Sequence, residues 1–124
     1  MSAFEIGKQL VAFCKEGKNL DSINTLYSES VESIEAAAPP EGERIARGIE
    51  AVRGKNQWWS ENHEIHSANV EGPWPHGDEK FAVRFSYDIT NKPSGQRMQM
   101  DEIGVFTVEN EKVVREEFFY TMGG

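Results

Sequence analysis

FAVRFSYDIT, residues 81–90, alternates apolar and polar side chains without a break. Phe81, Val83, Phe85, Tyr87 and Ile89 fall on one side, and Ala82, Arg84, Ser86, Asp88 and Thr90 on the other. A period of two predicts a strand with one face packed and the other wet, as in an antiparallel sheet covered on one side. Asn91-Lys92-Pro93-Ser94-Gly95 supplies a turn. A further strand follows over residues 96–108. Met98, Met100, Glu102, Gly104 and Phe106 share its inner face, and Gln99, Asp101, Ile103 and Val105 its outer one. The last strand covers residues 112–120. Reading Glu109-Asn110-Glu111 as a three-residue loop, with Asn110 at positive φ, sets Phe106 opposite Val114 and Gly104 opposite Glu116. It also sets Glu102 opposite Phe118 and Met100 opposite Tyr120.

Upstream, residues 64–70 read as a strand whose continuation through Pro73 and Pro75 should be irregular. Before it come three helices and one brief strand. Ile6, Leu10, Phe13 and Cys14 share one face of a helix over residues 2–15, which Gly17 stops. Asn19 is placed to cap a short second helix with Leu20, Ile23, Leu26 and Tyr27 as its buried stripe. Residues 31–36 form a strand with Val31, Ser33 and Glu35 on one face. Pro39, Pro40 and Gly42 make residues 37–47 a loop, long enough to act as a lid. The third helix runs over residues 49–62, with Ile49, Val52, Asn56 and Trp59 on one face and Trp58 about a quarter turn away. Helices first and strands after predict an α+β fold. A length of 124 residues suits one domain, residues 1–124.

The formal net charge is −8, which disfavours nucleic acid and anionic membranes as partners. No apolar run approaches the ~20 residues that span a bilayer. The first residues lack the pattern of a secretory signal. Cys14 is the one cysteine, so no internal disulfide forms, and a cytoplasmic location is expected.

Leu20-Asp21-Ser22-Ile23 through Leu26-Tyr27, then Val31-Glu32-Ser33-Ile34-Glu35, resembles the second helix and first strand of the nuclear transport factor 2-like superfamily. Gly48-Ile49-Glu50-Ala51-Val52 resembles the start of its third helix, and Glu109 to Val114 its last hairpin. Taken together, these motifs most resemble the SnoaL-like and ketosteroid isomerase-like group of that superfamily. The resemblance implies a curved antiparallel sheet wrapped around three helices as a cone, with an apolar pocket at its open end and dimers through the outer sheet face. It places Glu35 at the ketosteroid isomerases' general-base aspartate and Glu102 at their proton-donating aspartate. Leu10 stands at the place of their first-helix tyrosine, so that donor is absent.

Glu35 and Glu102 are therefore the candidate catalytic pair. Burial among apolar side chains raises a carboxyl pKa, which strengthens a base and keeps a second acid protonated. Candidate binding residues are Trp59, His66, Phe85, Tyr87, Met98, Met100, Glu116, Phe118 and Tyr120. The tyrosine hydroxyls are candidate replacements for the missing donor, and Glu116 lies nearly diagonal to Glu102. His63, His66 and His76 have no metal-ligand spacing, so no metal is expected, and no cofactor. Ile103, Val105, Val113 and Phe119 beside Arg84, Arg115 and Asp101 mark the outer face as a homodimer surface. The expected function is binding of a small apolar carbonyl compound, with cofactor-free proton transfer of the isomerase, cyclase or dehydratase type. The alternative is a non-catalytic ligand-binding or dimeric interaction domain.

Overall fold

Ser2 starts the chain's first helix by accepting a hydrogen bond from the Glu5 backbone N–H at 3.1 Å. In the computed structural model, which describes residues 2–38 and 42–121, that helix is α1 (Ala3–Lys15). It buries Ile6, Leu10, Val11 and Cys14. Gly17, at φ 74°, reverses the chain after it. The second helix, α2 (Asn19–Leu26), buries Ile23 and Leu26. Two expectations change here. Lys18 rather than Asn19 holds the cap position, with no side-chain bond. Leu20 is exposed, because the short helix turns only one narrow stripe inward.

The chain then passes directly into β1 (Tyr27–Ile34), so Tyr27 is the strand's first residue rather than the helix's last. Within the stretch expected to be loop, β2 (Ile45–Arg47) pairs antiparallel with the end of β1. Pro39, Pro40 and Glu41 lie outside the described residues. Next comes α3 (Ile49–Asn62), as expected, with Val52 buried and Trp58 exposed. The remaining strands are β3 (His63–His76), β4 (Lys80–Asn91), β5 (Arg97–Glu109) and β6 (Lys112–Phe119).

Among the described residues these strands form one curved, unclosed sheet in the order β2-β1-β6-β5-β4-β3. Every neighbouring pair is antiparallel except β1 and β6, which run parallel. The helices fill the concave side, and the result is the α+β cone that the family resemblance implies, with a mixed rather than wholly antiparallel sheet. β3 is longer than expected because its register shifts between Glu71 and Trp74, which takes Pro73 out of the ladder on an edge strand. α1 lies close over this region. A Cβ on Gly7 would sit 2.9 Å from Pro73 Cβ and 3.0 Å from the Phe81 ring, so only glycine permits the approach.

The last hairpin corrects the expected register. The loop has two residues, Asn110 and Glu111, both at positive φ (51° and 63°), as a two-residue hairpin turn requires. Such a loop alone would turn Glu116 and Phe118 to the outer side. A register shift after Val113 restores them: Val108 pairs with Val113, Thr107 pairs with Arg115, and Val114 is the extra residue. Beyond the shift, Phe106 faces Glu116 and Gly104 faces Phe118, one pair away from the expected alignment. The two-residue loop, ahead of that shift, turns Val113 inward opposite buried Val108, where it is fully buried, instead of onto the outer face.

Candidate functional site

The inner face of β4 and β5 is sealed at one end and half-open further along. Phe81, Val83 and Phe106 are almost wholly buried beneath the helices. Tyr87, Met98, Met100 and Glu102 are only half-buried. Strand alternation decides which side chains reach this face, since Phe85 pairs with Glu102 and Tyr87 with Met100 across β4 and β5.

Four elements bring ionisable groups to this half-open region. β1 supplies Ser33 and, one residue past its end, Glu35. β6 supplies Glu116, which pairs with Ser33 across the parallel junction. β5 supplies Glu102, and α3 supplies Lys55. Glu116 is 5% exposed. Its Oε1 accepts a hydrogen bond from the Tyr27 hydroxyl, and its Oε2 accepts one from Ser33 Oγ at 2.6 Å. Lys55 Nζ donates to Ser33 Oγ at 2.5 Å and lies 2.5 Å from Glu35 Oε1. The Tyr120 hydroxyl donates to the other Glu35 oxygen, Oε2, at 2.9 Å. One connected network thus runs from buried Tyr27 through Glu116, Ser33 and Lys55 to Glu35 and Tyr120. The Lys55 ammonium also lies 5.4 Å from the centre of the Phe118 ring. The side chains of Lys55 and Glu35 are 28% and 23% exposed, so the pair is partly desolvated yet reachable.

Burial sets the electrostatics. It pushes the Glu102 carboxyl up to about 7; the charges of Glu35 and Glu116 add to the rise and Lys55 opposes it. Burial also raises Glu116, against the pull of Lys55 and of the Ser33 and Tyr27 hydroxyls. Tyr120 is pushed up to about 12 by burial and by Glu35, so it stays a donor at neutral pH. Burial and then Glu116 push Cys14 up to about 12, which leaves its thiol unreactive.

The structure brings most of the expected residues to one region. Trp59 is half-buried, stacked on His63 with ring centres 4.4 Å apart, and 5.8 Å from Tyr87. Phe118 meets Phe106 edge-on at 6.1 Å. Gly104 gives the two rings room, since a Cβ there would lie 2.9 Å from Phe106 and 3.1 Å from Phe118. Phe85 is buried in the core rather than open to a ligand. His66 does not join the group: it is exposed, and its Nε2 lies 2.7 Å from Thr90 Oγ1. The register shift between Ile65 and Ser67 is what takes it off the face it would otherwise share with Ala68 and Val70. Lys55 and Ser33 were not among the candidates. The signal for Lys55 lay in the helical spacing Val52, Lys55, Trp59, which carries the lysine along the inward stripe. Among the described residues, no three His, Cys, Asp or Glu are grouped so as to hold a metal ion. No described helix is long and apolar enough to cross a membrane.

A solvent-open groove bounded by Arg84, Ile103, Phe119 and Tyr120 reaches Glu102 where β6 ends and β5 runs on. On the outer face Ile103 pairs with Phe119, and both are exposed. Arg84 forms a bidentate ion pair with Asp101 beside them.

The sequence pattern of the SnoaL-like domain matches residues 1–120. The chain belongs to the SnoaL-like family. A Mesorhizobium loti protein named for a SnoaL-like polyketide cyclase is 41% identical to this SnoaL-like chain, with TM-score 0.90 over 97% of this chain and 100% of that one. A nuclear transport factor 2-like protein from Burkholderia thailandensis shares the fold at 16% identity, with TM-score 0.80 over 98% and 92% of the two chains. So does a Catenulispora acidiphila protein with a ketosteroid isomerase-like fold, in complex with trimethylamine, at 16% identity and TM-score 0.72 over 95% and 86%. No curated protein matches the SnoaL-like chain.

Proposed function

We propose that this SnoaL-like chain binds a small, largely apolar carbonyl compound against the half-open inner face and catalyses cofactor-free proton transfer on it. The observation that carries this reading is that Lys55 pairs with Glu35 and reaches Glu116 through Ser33, while Glu102, on the same half-open face as Met100 and Tyr87, feels the charges of all three. Three carboxyls and an ammonium at an aromatic wall add nothing to packing and much to acid–base chemistry. Glu35 takes the proton next to the carbonyl. Glu102, with its carboxyl near 7, carries a proton in part of the molecules at neutral pH and returns one to the product. A relative 41% identical and named for a polyketide cyclase supports a carbonyl-rich substrate.

The proposal extends to assembly and location. Two copies pair through the outer sheet face around Ile103 and Phe119, whose exposed apolar surface is rimmed by Arg84 and Asp101. A buried single thiol fits the reducing cytoplasm.

The test begins with a panel of small aromatic and alicyclic ketones, screened for thermal stabilisation of the protein. Those that stabilise it are then followed by proton NMR in deuterated buffer. The wild type should wash out the hydrogens next to the carbonyl, and Glu35→Gln and Glu102→Gln should each slow this by about a hundredfold or more. Stabilisation without any enzyme-dependent exchange would contradict the chemistry and leave the reading of a non-catalytic binding domain. The Glu35–Lys55 ion pair is the feature that favours that second reading, since it occupies the base.

A further inference from the structure

Lys55 is the cation that joins the side chains of this network, and it is already engaged. Its Nζ lies 2.5 Å from Glu35 Oε1 and 2.5 Å from Ser33 Oγ, above the Phe118 ring. Leu10, at the position the family resemblance assigns to a donor tyrosine, is 1% exposed within the apolar core and has no proton to give. Whatever stabilises a developing enolate oxygen here must come from another element. Lys55 and Glu35 are each about a quarter exposed, so a bound molecule can reach both.

We propose that Lys55 is the electrophile of this site and that the Glu35–Lys55 ion pair is exchanged during the reaction for an enolate–Lys55 ion pair. The inference rests on the proposed proton transfer. Before the proton moves, the ammonium is neutralised by Glu35. When the Glu35 carboxylate takes a proton from the carbon next to the carbonyl, the C–H electron pair becomes the carbon–carbon double bond. The carbonyl π pair moves onto oxygen. Glu35 is now a neutral acid, Lys55 has lost its counter-charge, and the new oxyanion takes its place. The total charge of substrate, glutamate and lysine is the same before and after.

The exchange gives Lys55 a stronger attraction for the oxygen after proton removal than before it, which is the condition for accelerating the chemical step. Ser33 keeps the ammonium in place when Glu35 releases it. Tyr120, on the far oxygen of Glu35, holds the carboxylate while its partner changes.

The test uses 4-nitrophenolate as a planar oxyanion probe and acetophenone as a neutral one, with affinities measured by calorimetry above the phenol's pKa. Glu35→Gln stands for the protonated base. It should bind 4-nitrophenolate about tenfold or more tighter than the wild type. The gain should vanish in Glu35→Gln/Lys55→Met and persist in Glu35→Gln/Lys55→Arg, and the arginine variant keeps the test valid if the methionine variant fails to fold. Acetophenone should bind all the variants alike. A gain from Glu35→Gln that survives Lys55→Met would overturn the exchange, because loss of a repelling carboxylate would then explain it. Acetophenone binding with no phenolate gain would also overturn it and leave the proposed ligand site standing. If neither probe binds any variant, the proposed carbonyl site falls and the exchange with it.

Discussion

Ser33 Oγ on β1 lies 2.6 Å from Glu116 Oε2 on β6, and the two residues are register partners across the parallel junction of the sheet. With the Tyr27 hydroxyl on the other oxygen, this bond fixes a buried carboxyl where two strands meet from distant parts of the chain. Glu116→Ala removes the acceptor of both hydroxyls and should destabilise the fold by about 2–4 kcal/mol. Glu116→Gln keeps one acceptor and should cost less. Urea denaturation of both variants checks the order.

Glu102 makes stability depend on pH. Its carboxyl stands at about 7 in the folded chain, above the ordinary glutamate value, mainly because of burial. The folded state therefore holds this proton more tightly than the unfolded chain. The stability this confers is complete below the ordinary glutamate pKa and is lost as pH rises through about 7. Glu102→Gln should thus be more stable than the wild type at pH 8, by up to about 3 kcal/mol, with the difference gone below about pH 4. Thermal melts across that range measure it.

How far these residues could be read from the chain differs by element. The inner and outer faces of β4 and β5 followed from alternation alone, which is why Glu102, Tyr87 and Met100 were legible as neighbours on one face. The last hairpin was not. Asn110 and Glu111 both adopt positive φ although neither is glycine, and the shift at Val114 that restores the faces leaves no mark in the local pattern. Lys55 was hidden because a lysine on a helix reads as a solvated residue. Its inward turn depends on Glu35, twenty residues earlier on another element. His66 falls on the inward face only of an unbroken strand, and the register shift after Ile65 breaks it.

Gly7 is a packing glycine. Helix propensity alone would favour alanine there by about 1 kcal/mol. A Cβ, however, would stand 2.9 Å from Pro73 Cβ, against a strand, and 3.0 Å from the fully buried Phe81. Overpacking of this kind costs about 1–3 kcal/mol. Gly7→Ala should therefore lower the melting temperature by several degrees.

Ile103 and Phe119 are paired and exposed on the outer face. A charge placed there should dissociate the proposed dimer without touching the inner face. Phe119→Asp is expected to halve the mass measured by light scattering while leaving the circular dichroism spectrum unchanged. A wild-type protein that is already monomeric at micromolar concentration would remove the assembly from the proposal.

The account turns on Glu102 holding a proton at neutral pH inside a cluster of carboxylates. Carboxyl-carbon NMR tests this directly, with the Glu102 resonance assigned by its loss in Glu102→Gln. A titration midpoint of about 7 is predicted. A midpoint in the ordinary glutamate range, near about 4.3, would contradict it.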